Sequence, residues 1–187
     1  MERYDVVIIG AGPAGLFAAD ELARQSKCKV ALIEKGLDLP ERIAVRAGDK
    51  PAPEGSAVML EGFGGAGAFC DGKLTLTTEV GGHLHELVGR PRAEQLIEMS
   101  DQRWQQFGAP ATVHGADSEA VADIAHRATL CGMKLVTVPL RHIGTDHTPQ
   151  LLGEIREALA DRVDILTETT ASDLLVCDRR IDGAVLE

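Results

Sequence analysis

The chain has 187 residues, 44% of them hydrophobic and 26% charged, enough for one domain with a real core and a small appendage. Its formal net charge of −10 disfavours a nucleic acid or an anionic membrane as partner. Four scattered cysteines (Cys28, Cys70, Cys131, Cys177), none in a C-x-x-C pair, read as free thiols in a reducing compartment rather than as disulfides or a zinc site. The mostly apolar stretch from Val6 to Ala19 follows the acidic Glu2 and Asp5 and is broken by three glycines and Pro13, unlike a signal peptide. No apolar run is long enough to span a bilayer, so the expected location is the cytoplasm.

In chain order, Val6 to Ile9 is an unbroken apolar, β-branched run, which predicts a strand buried on both faces of a parallel sheet. Gly10, Gly12 and Gly15 follow in G-x-G-x-x-G spacing. Gly10 suits a tight turn, Gly12 leaves room for a pyrophosphate, and Gly15 lets a helix lie close on the strand. Pro13 fits the first helical position, beside Ala14. Leu16, Ala19, Leu22 and Ala23 then recur at helical spacing to about Arg24. Val30 to Ile33 predicts a second buried strand, and Glu34 ends it, 34 − 15 = 19 residues past the last glycine. A carboxylate there can accept hydrogen bonds from a ribose diol and would repel a 2′-phosphate, which argues against NADP. Strand, glycine turn, helix, second strand and acid together predict dinucleotide binding.

Gly36 to Ser56 is polar and rich in Pro and Gly, an irregular excursion with room for a short helix over Leu39 to Arg46. The run Gly62-Phe63-Gly64-Gly65-Ala66-Gly67-Ala68-Phe69, followed by Cys70-Asp71-Gly72-Lys73-Leu74, is too glycine-dense for a helix interior and lets backbone approach a ligand closely. The spacing of Leu96, Ser100, Trp104 and Phe107 predicts a helix over about 92–107. Asp117 or Ser118 can cap a second helix, with Val121, Ile124, Ala125, Ala128 and Cys131 as its buried stripe and Gly132 as its stop. Lys134 to Leu140 reads as a strand. Thr148 caps a third helix, with Pro149 at its first position and Leu152, Ile155 and Leu159 facing inward. Val163–Thr169, Ala171–Cys177 and Ile181–Leu186 read as strands, the last two joined as a hairpin through Asp178-Arg179-Arg180.

Among side chains with other chemistry, Cys70 reads as a buried or partly buried thiol, since no resolving cysteine is near it. His83 and His85 would share a strand face, yet only Glu86 accompanies them, so no metal site is expected. Arg141 and His142 read from their own residues as surface positions ending a strand, with anion binding as the other option. Trp104 reads as core.

Gly10-x-Gly12-Pro13-x-Gly15, Glu34-Lys35 and the long excursion resemble FAD-binding proteins of the glutathione-reductase class. The Gly62 to Leu74 stretch and Arg141-His142-Ile143-Gly144-Thr145-Asp146 narrow the resemblance to a family of largely uncharacterised bacterial and archaeal FAD-dependent dehydrogenases, over essentially the whole chain. The resemblance implies an α/β, Rossmann-like FAD/NAD(P)-binding fold with a parallel sheet, a β-hairpin and a helical inserted lobe, incomplete at the C-terminus. Residues 1–75 and 162–187 would form the FAD-binding part and 76–161 the substrate-side lobe, including the Arg141 to Asp146 segment.

On this resemblance FAD lies extended, its adenosine by Glu34 and Lys35, its pyrophosphate on Gly12 to Gly15, and Gly64, Gly65, Ala66, Gly67, Ala68 and Phe69 near the riboflavin end. The backbone around Thr170 and Ala171 would touch adenine. The implied activity is that of an FAD-dependent oxidoreductase taking a hydride or electron pair from a small-molecule substrate, with NAD(P)H or another electron donor or acceptor as an optional partner. No catalytic acid or base is identified. An NAD-linked dehydrogenase domain and a catalytically silent dinucleotide-binding fragment are the alternatives. The sequence departs from the family in three respects. Members are usually more than twice as long, many carry a cysteine cluster that Pro51 to Met59 lacks, and Cys70 stands where serine is expected.

Overall fold

The computed structural model describes residues 2–116 and 118–187. The chain divides into two compact units, one of Met1–Cys70 and Thr145–Glu187, the other of Asp71–Gly144.

The first unit is built on a three-stranded parallel sheet of β1 (Val6–Ile9), β2 (Val30–Ile33) and β5 (Val163–Leu166), in the order β1-β2-β5. The register pairs Val6 with Val30 and Val30 with Val163. Four apolar residues in a row suit β2, the central strand, and all four are buried. β1 differs from expectation. It is an edge strand, and its residues alternate: Ile8 faces the helix, whereas Val7 is 39% and Ile9 55% exposed. An apolar run marks a strand but not its place in the sheet.

Helix α1 (Pro13–Gln25) crosses from β1 to β2 and buries Leu16, Ala19 and Ala23 of its expected stripe, with Leu22 half-buried. Helix α2 (Leu39–Ala47) is capped by the Asp38 carboxylate, which accepts from the Leu39 amide at 2.7 Å, and stops at Gly48 in the left-handed region (φ 83°). Helix α6 (Thr148–Ala160) packs against α1 and α2 through Leu151, Leu152, Ile155 and Leu159. Its cap position is His147, so Thr148 falls one place inside the helix, a shift within the usual uncertainty of helix ends. Arg156 of α6 grips both oxygens of Asp38, which ties the two helices where α2 begins. The hairpin of β6 (Ala171–Cys177) and β7 (Arg180–Leu186) turns through Asp178 and Arg179, both at positive φ, the conformation that matches strand twist in a two-residue turn. β5 ends at Leu166, three residues before the expected Thr169, because Glu168 and Thr169 leave the ladder to bond Gly36 and Glu34.

The second unit pairs β3 (Lys73–Thr75) antiparallel with β4 (Leu140–His142) and carries α3 (Leu84–Val88), α4 (Arg90–Gln106) and α5 (Ser118–Leu130). The expected strand over Lys134 to Leu140 is realised only at its end, as β4. Within 134–139 no residue joins a ladder, and Pro139 has no N–H to offer one. Helix α5 forms where its period predicts and ends before Gly132 (φ 71°), but its apolar stripe is not core. Ile124 is 45% exposed and Cys131 is exposed. Asp117, a candidate cap, and the side chain of Ser118 lie outside the described residues.

Trp104 of α4 is half-buried rather than core. With Leu74, Leu76, Leu84, Leu96 and Ile97 it lines an open cavity of about 280 Å3. His83 precedes α3 and pairs with Glu86 at 3.0 Å, and His85 lies inside the helix, so the two do not share a strand face.

Arg141 is buried, against the surface reading, because Asp101 of α4 takes its guanidinium side-on, at 2.6 Å from Nε and 2.7 Å from Nη2, and Pro110 accepts from Nη1. The carboxylate holds this guanidinium's pKa above its ordinary value. Asp101→Ala leaves that cation buried and unpaired, so it is expected to lower the stability of the second unit by about 3–5 kcal/mol. Hydrogen exchange should accelerate across β3, β4 and α4. Unchanged protection of those amides would show that the pair contributes little.

Candidate dinucleotide site

The glycine turn between β1 and α1 is set by close backbone approach. Gly10 adopts φ 98° and donates its amide to the Ile33 carbonyl at 2.7 Å, locking the turn to the end of β2. A Cβ on Gly15 would lie 2.0 Å from the Gly10 carbonyl oxygen, so only glycine lets α1 sit this close to the turn. Gly12 is different. Its backbone is extended (φ −74°), a conformation open to any residue, and a Cβ there would meet nothing within 4 Å.

No side chain caps α1, and no acidic residue stands in its first turn, which contains Pro13, Ala14 and Gly15. The helix therefore presents first-turn amides and the positive end of its dipole to open space beside Gly12.

Glu34 faces this turn and is 7% exposed. Its Oε2 accepts from the Ala11 amide at 2.8 Å, and its Oε1 accepts from Gly36 at 2.9 Å and Gly62 at 3.0 Å. One carboxylate thus fastens three segments: the turn, the end of β2 and the second glycine run. Lys35 points elsewhere; its exposed amine pairs with Glu61, which holds the ammonium's pKa above its ordinary value.

The second glycine run is brought to the first. Gly64 donates to the Ala11 carbonyl at 2.8 Å, and a Cβ on Gly65 would stand 3.0 Å from the Gly12 Cα. Gly62, Gly64 and Gly65 all have positive φ, and a short 3-10 turn over Ala66–Phe69 follows, with Ala68 and Phe69 buried. Cys70, expected at least partly buried, is exposed, its thiol donating to the Gly67 carbonyl at 3.1 Å. Ala171 opens β6 at half-burial. The residues just before it are tied to the site, Glu168 donating to the Gly36 carbonyl at 2.9 Å and Thr169 to that of Glu34 at 3.0 Å.

One residue escaped the sequence reading. Arg42 of α2 is fully buried, while its neighbour Ile43 is 41% exposed, the reverse of what polarity predicts. Its guanidinium donates to the carbonyls of Val58, Phe63 and Gly65 and lies over the Phe69 ring. The one available signal was its position three residues after Leu39, on that residue's buried side of α2.

Residues 4–68 match the family described as pyridine nucleotide-disulphide oxidoreductase, and no curated protein matches the sequence. Many solved structures resemble the chain, among them these three. The 3-ketosteroid-delta4-(5alpha)-dehydrogenase from Rhodococcus jostii RHA1, in complex with 4-androstene-3,17-dione, superposes with a TM-score of 0.57 at 17% identity, over 98% of this chain and 42% of that one. The L-amino acid deaminase from Proteus vulgaris gives 0.53 at 14% identity, over 100% and 45%. The adenylylsulfate reductase from Archaeoglobus fulgidus gives 0.53 at 19%, over 98% and 27%. The chain has their α/β fold. It spans less than half the length of each of these three proteins. Among the described residues no helix is long and apolar enough to cross a membrane, and no cluster of three or more His, Cys, Asp or Glu could hold a metal ion.

Proposed function

We propose that the first unit holds FAD and that the chain is the N-terminal part of an FAD-dependent oxidoreductase. The observation that carries this reading is the open space at Gly12. Gly15 lacks a side chain because the fold has no room for one. Gly12 lacks one although the fold would accept it, at the uncapped start of a helix suited to an anion. A diphosphate fits that place: Gly10, Gly12 and Pro13 shape it, and the amides of Ala14 and Gly15 donate to it.

Glu34 takes the adenosine ribose. A carboxylate offers about four acceptor positions. Two on Oε1 and one on Oε2 are taken by backbone amides, which leaves one on Oε2 for a sugar hydroxyl. A 2′-phosphate would meet this carboxylate as a like charge, which favours FAD over an NADP-type ligand. The Lys35 backbone follows Glu34 beside the adenosine while its amine stays on Glu61, and the backbone at Ala171 lines the adenine. Gly64, Gly65, Ala66, Gly67, Ala68 and Phe69 run toward the riboflavin end, with open space at Gly67. When bound, FAD supplies an acceptor for a hydride or electron pair from a small-molecule substrate. The second unit belongs to the substrate-side lobe, and the match of residues 4–68 to an oxidoreductase family supports the redox class.

The test is to purify the chain and titrate it with FAD and with NAD, following visible absorbance and flavin fluorescence. Binding of FAD in preference to NAD is the expected result. A chain that ignores FAD and binds NAD refutes the assignment. A chain that binds FAD but cannot be reduced by any donor is a silent dinucleotide-binding piece.

A further inference from the structure

Arg42 has a place in the site that neither its residue type nor its helix explains. Its side chain is fully enclosed, and each of its hydrogen-bond partners is a neutral backbone carbonyl. Nε and Nη2 donate to Val58 at 3.0 and 2.8 Å, and Nη1 donates to Phe63 at 2.7 Å and Gly65 at 3.0 Å. The carboxylates of Glu34 and Glu61 act on it through space, while burial pulls its pKa below the ordinary value. A buried cation is costly, and a hydrophobic side chain of similar volume would fill the same room. What such a side chain cannot do is collect three carbonyls converging from two sides.

Those carbonyls belong to the backbone that leans on the glycine turn. Gly62 accommodates Arg42, since a Cβ there would fall 2.6 Å from the Arg42 Cδ. Gly64 then bonds Ala11, and Gly65 reaches the Gly12 Cα. Resting on the FAD reading above, we propose that Arg42 is a positioning residue: its guanidinium fixes the 62–65 backbone against Gly12 and so sets the shape of the cleft that receives the diphosphate. It touches no ligand itself. Its fork geometry matters more than its charge, because an ammonium donates from a single point.

Arg42→Lys tests this, since it keeps the charge and loses the fork. The expected result is FAD affinity weakened at least tenfold, measured by fluorescence titration well below the variant's melting temperature. Hydrogen exchange should accelerate at Gly64 and Gly65 while the α6 amides keep their protection. A merely structural role would lower the melting temperature and leave the affinity of the folded protein alone. A dissociation constant within twofold of the unaltered chain therefore overturns the proposal.

Should Arg42→Lys fail to fold, Arg42→Met carries the same test, since it fills much of the same room and donates nothing to the three carbonyls. A tenfold loss of FAD affinity in the folded variant supports the proposal, and an unchanged constant overturns it. Failure of the unaltered chain to bind FAD is a separate result. It refutes the functional reading, and the role of Arg42 falls with it.

Discussion

Gly12→Val should leave the chain folded and remove its affinity for FAD. Valine can adopt the extended backbone at this position, and its Cβ enters space with no protein atom within 4 Å, so the cost is confined to the helix cap, roughly 1 kcal/mol, and the chain should remain folded. The methyl groups then occupy the room a diphosphate needs beside the helix start. Each hydrogen bond lost between a backbone amide and a charged oxygen is worth roughly 1.5–3 kcal/mol. Losing even two of them weakens binding by at least about a hundredfold. Isothermal titration with FAD reads this directly, and affinity within threefold of the unaltered chain would remove the diphosphate from this turn.

Gly15→Ala is the control with the opposite signature. Its Cβ would sit 2.0 Å from the Gly10 carbonyl oxygen, so the helix must move off the turn, at a cost of roughly 1–3 kcal/mol of stability or more. Two glycines three residues apart thus separate into an open position and a packing position, the division that the G-x-G-x-x-G spacing predicts.

The places of Gly10, Gly12, Gly15 and Glu34 in the fold were legible because they are set locally: a turn, a helix start, and an acid at the end of the adjacent strand. Helices α1, α2, α4, α5 and α6 were legible from apolar spacing, and the β6–β7 hairpin from its polar turn. Spacing states that a face is apolar, not what it meets. So Val7 and Ile9 read as interior yet are exposed, and the apolar stripe of α5 is not core. Arg42 was invisible for a different reason. Its partners are carbonyls 16, 21 and 23 residues away, and a backbone carbonyl carries no residue-type signature. The match between Arg141 and Asp101, 40 residues apart, is of the same kind.

Glu34 shows what such non-local bonding does to an expected phenotype. From the sequence, Glu34→Ala removes a ribose contact and weakens adenosine recognition by roughly 1–3 kcal/mol. In the structure the same substitution also strips the acceptor from the Ala11, Gly36 and Gly62 amides, all three in buried residues. A buried donor left without a partner costs about 1–3 kcal/mol. Allowing for relaxation around the smaller side chain, the expected loss is about 3–6 kcal/mol, a large part of the 5–15 kcal/mol that holds a typical domain folded. Glu34→Gln should lose less, because its carbonyl can keep the two amides on the Oε1 side while its NH2 meets Ala11 donor to donor. Urea unfolding of both variants orders them. If Glu34→Ala unfolds within 1 kcal/mol of the unaltered chain, the three amides have found water, and Glu34 acts on the ligand alone. If it unfolds early, as expected, a missing ribose contact can be read only from Glu34→Gln, measured where that variant is still folded.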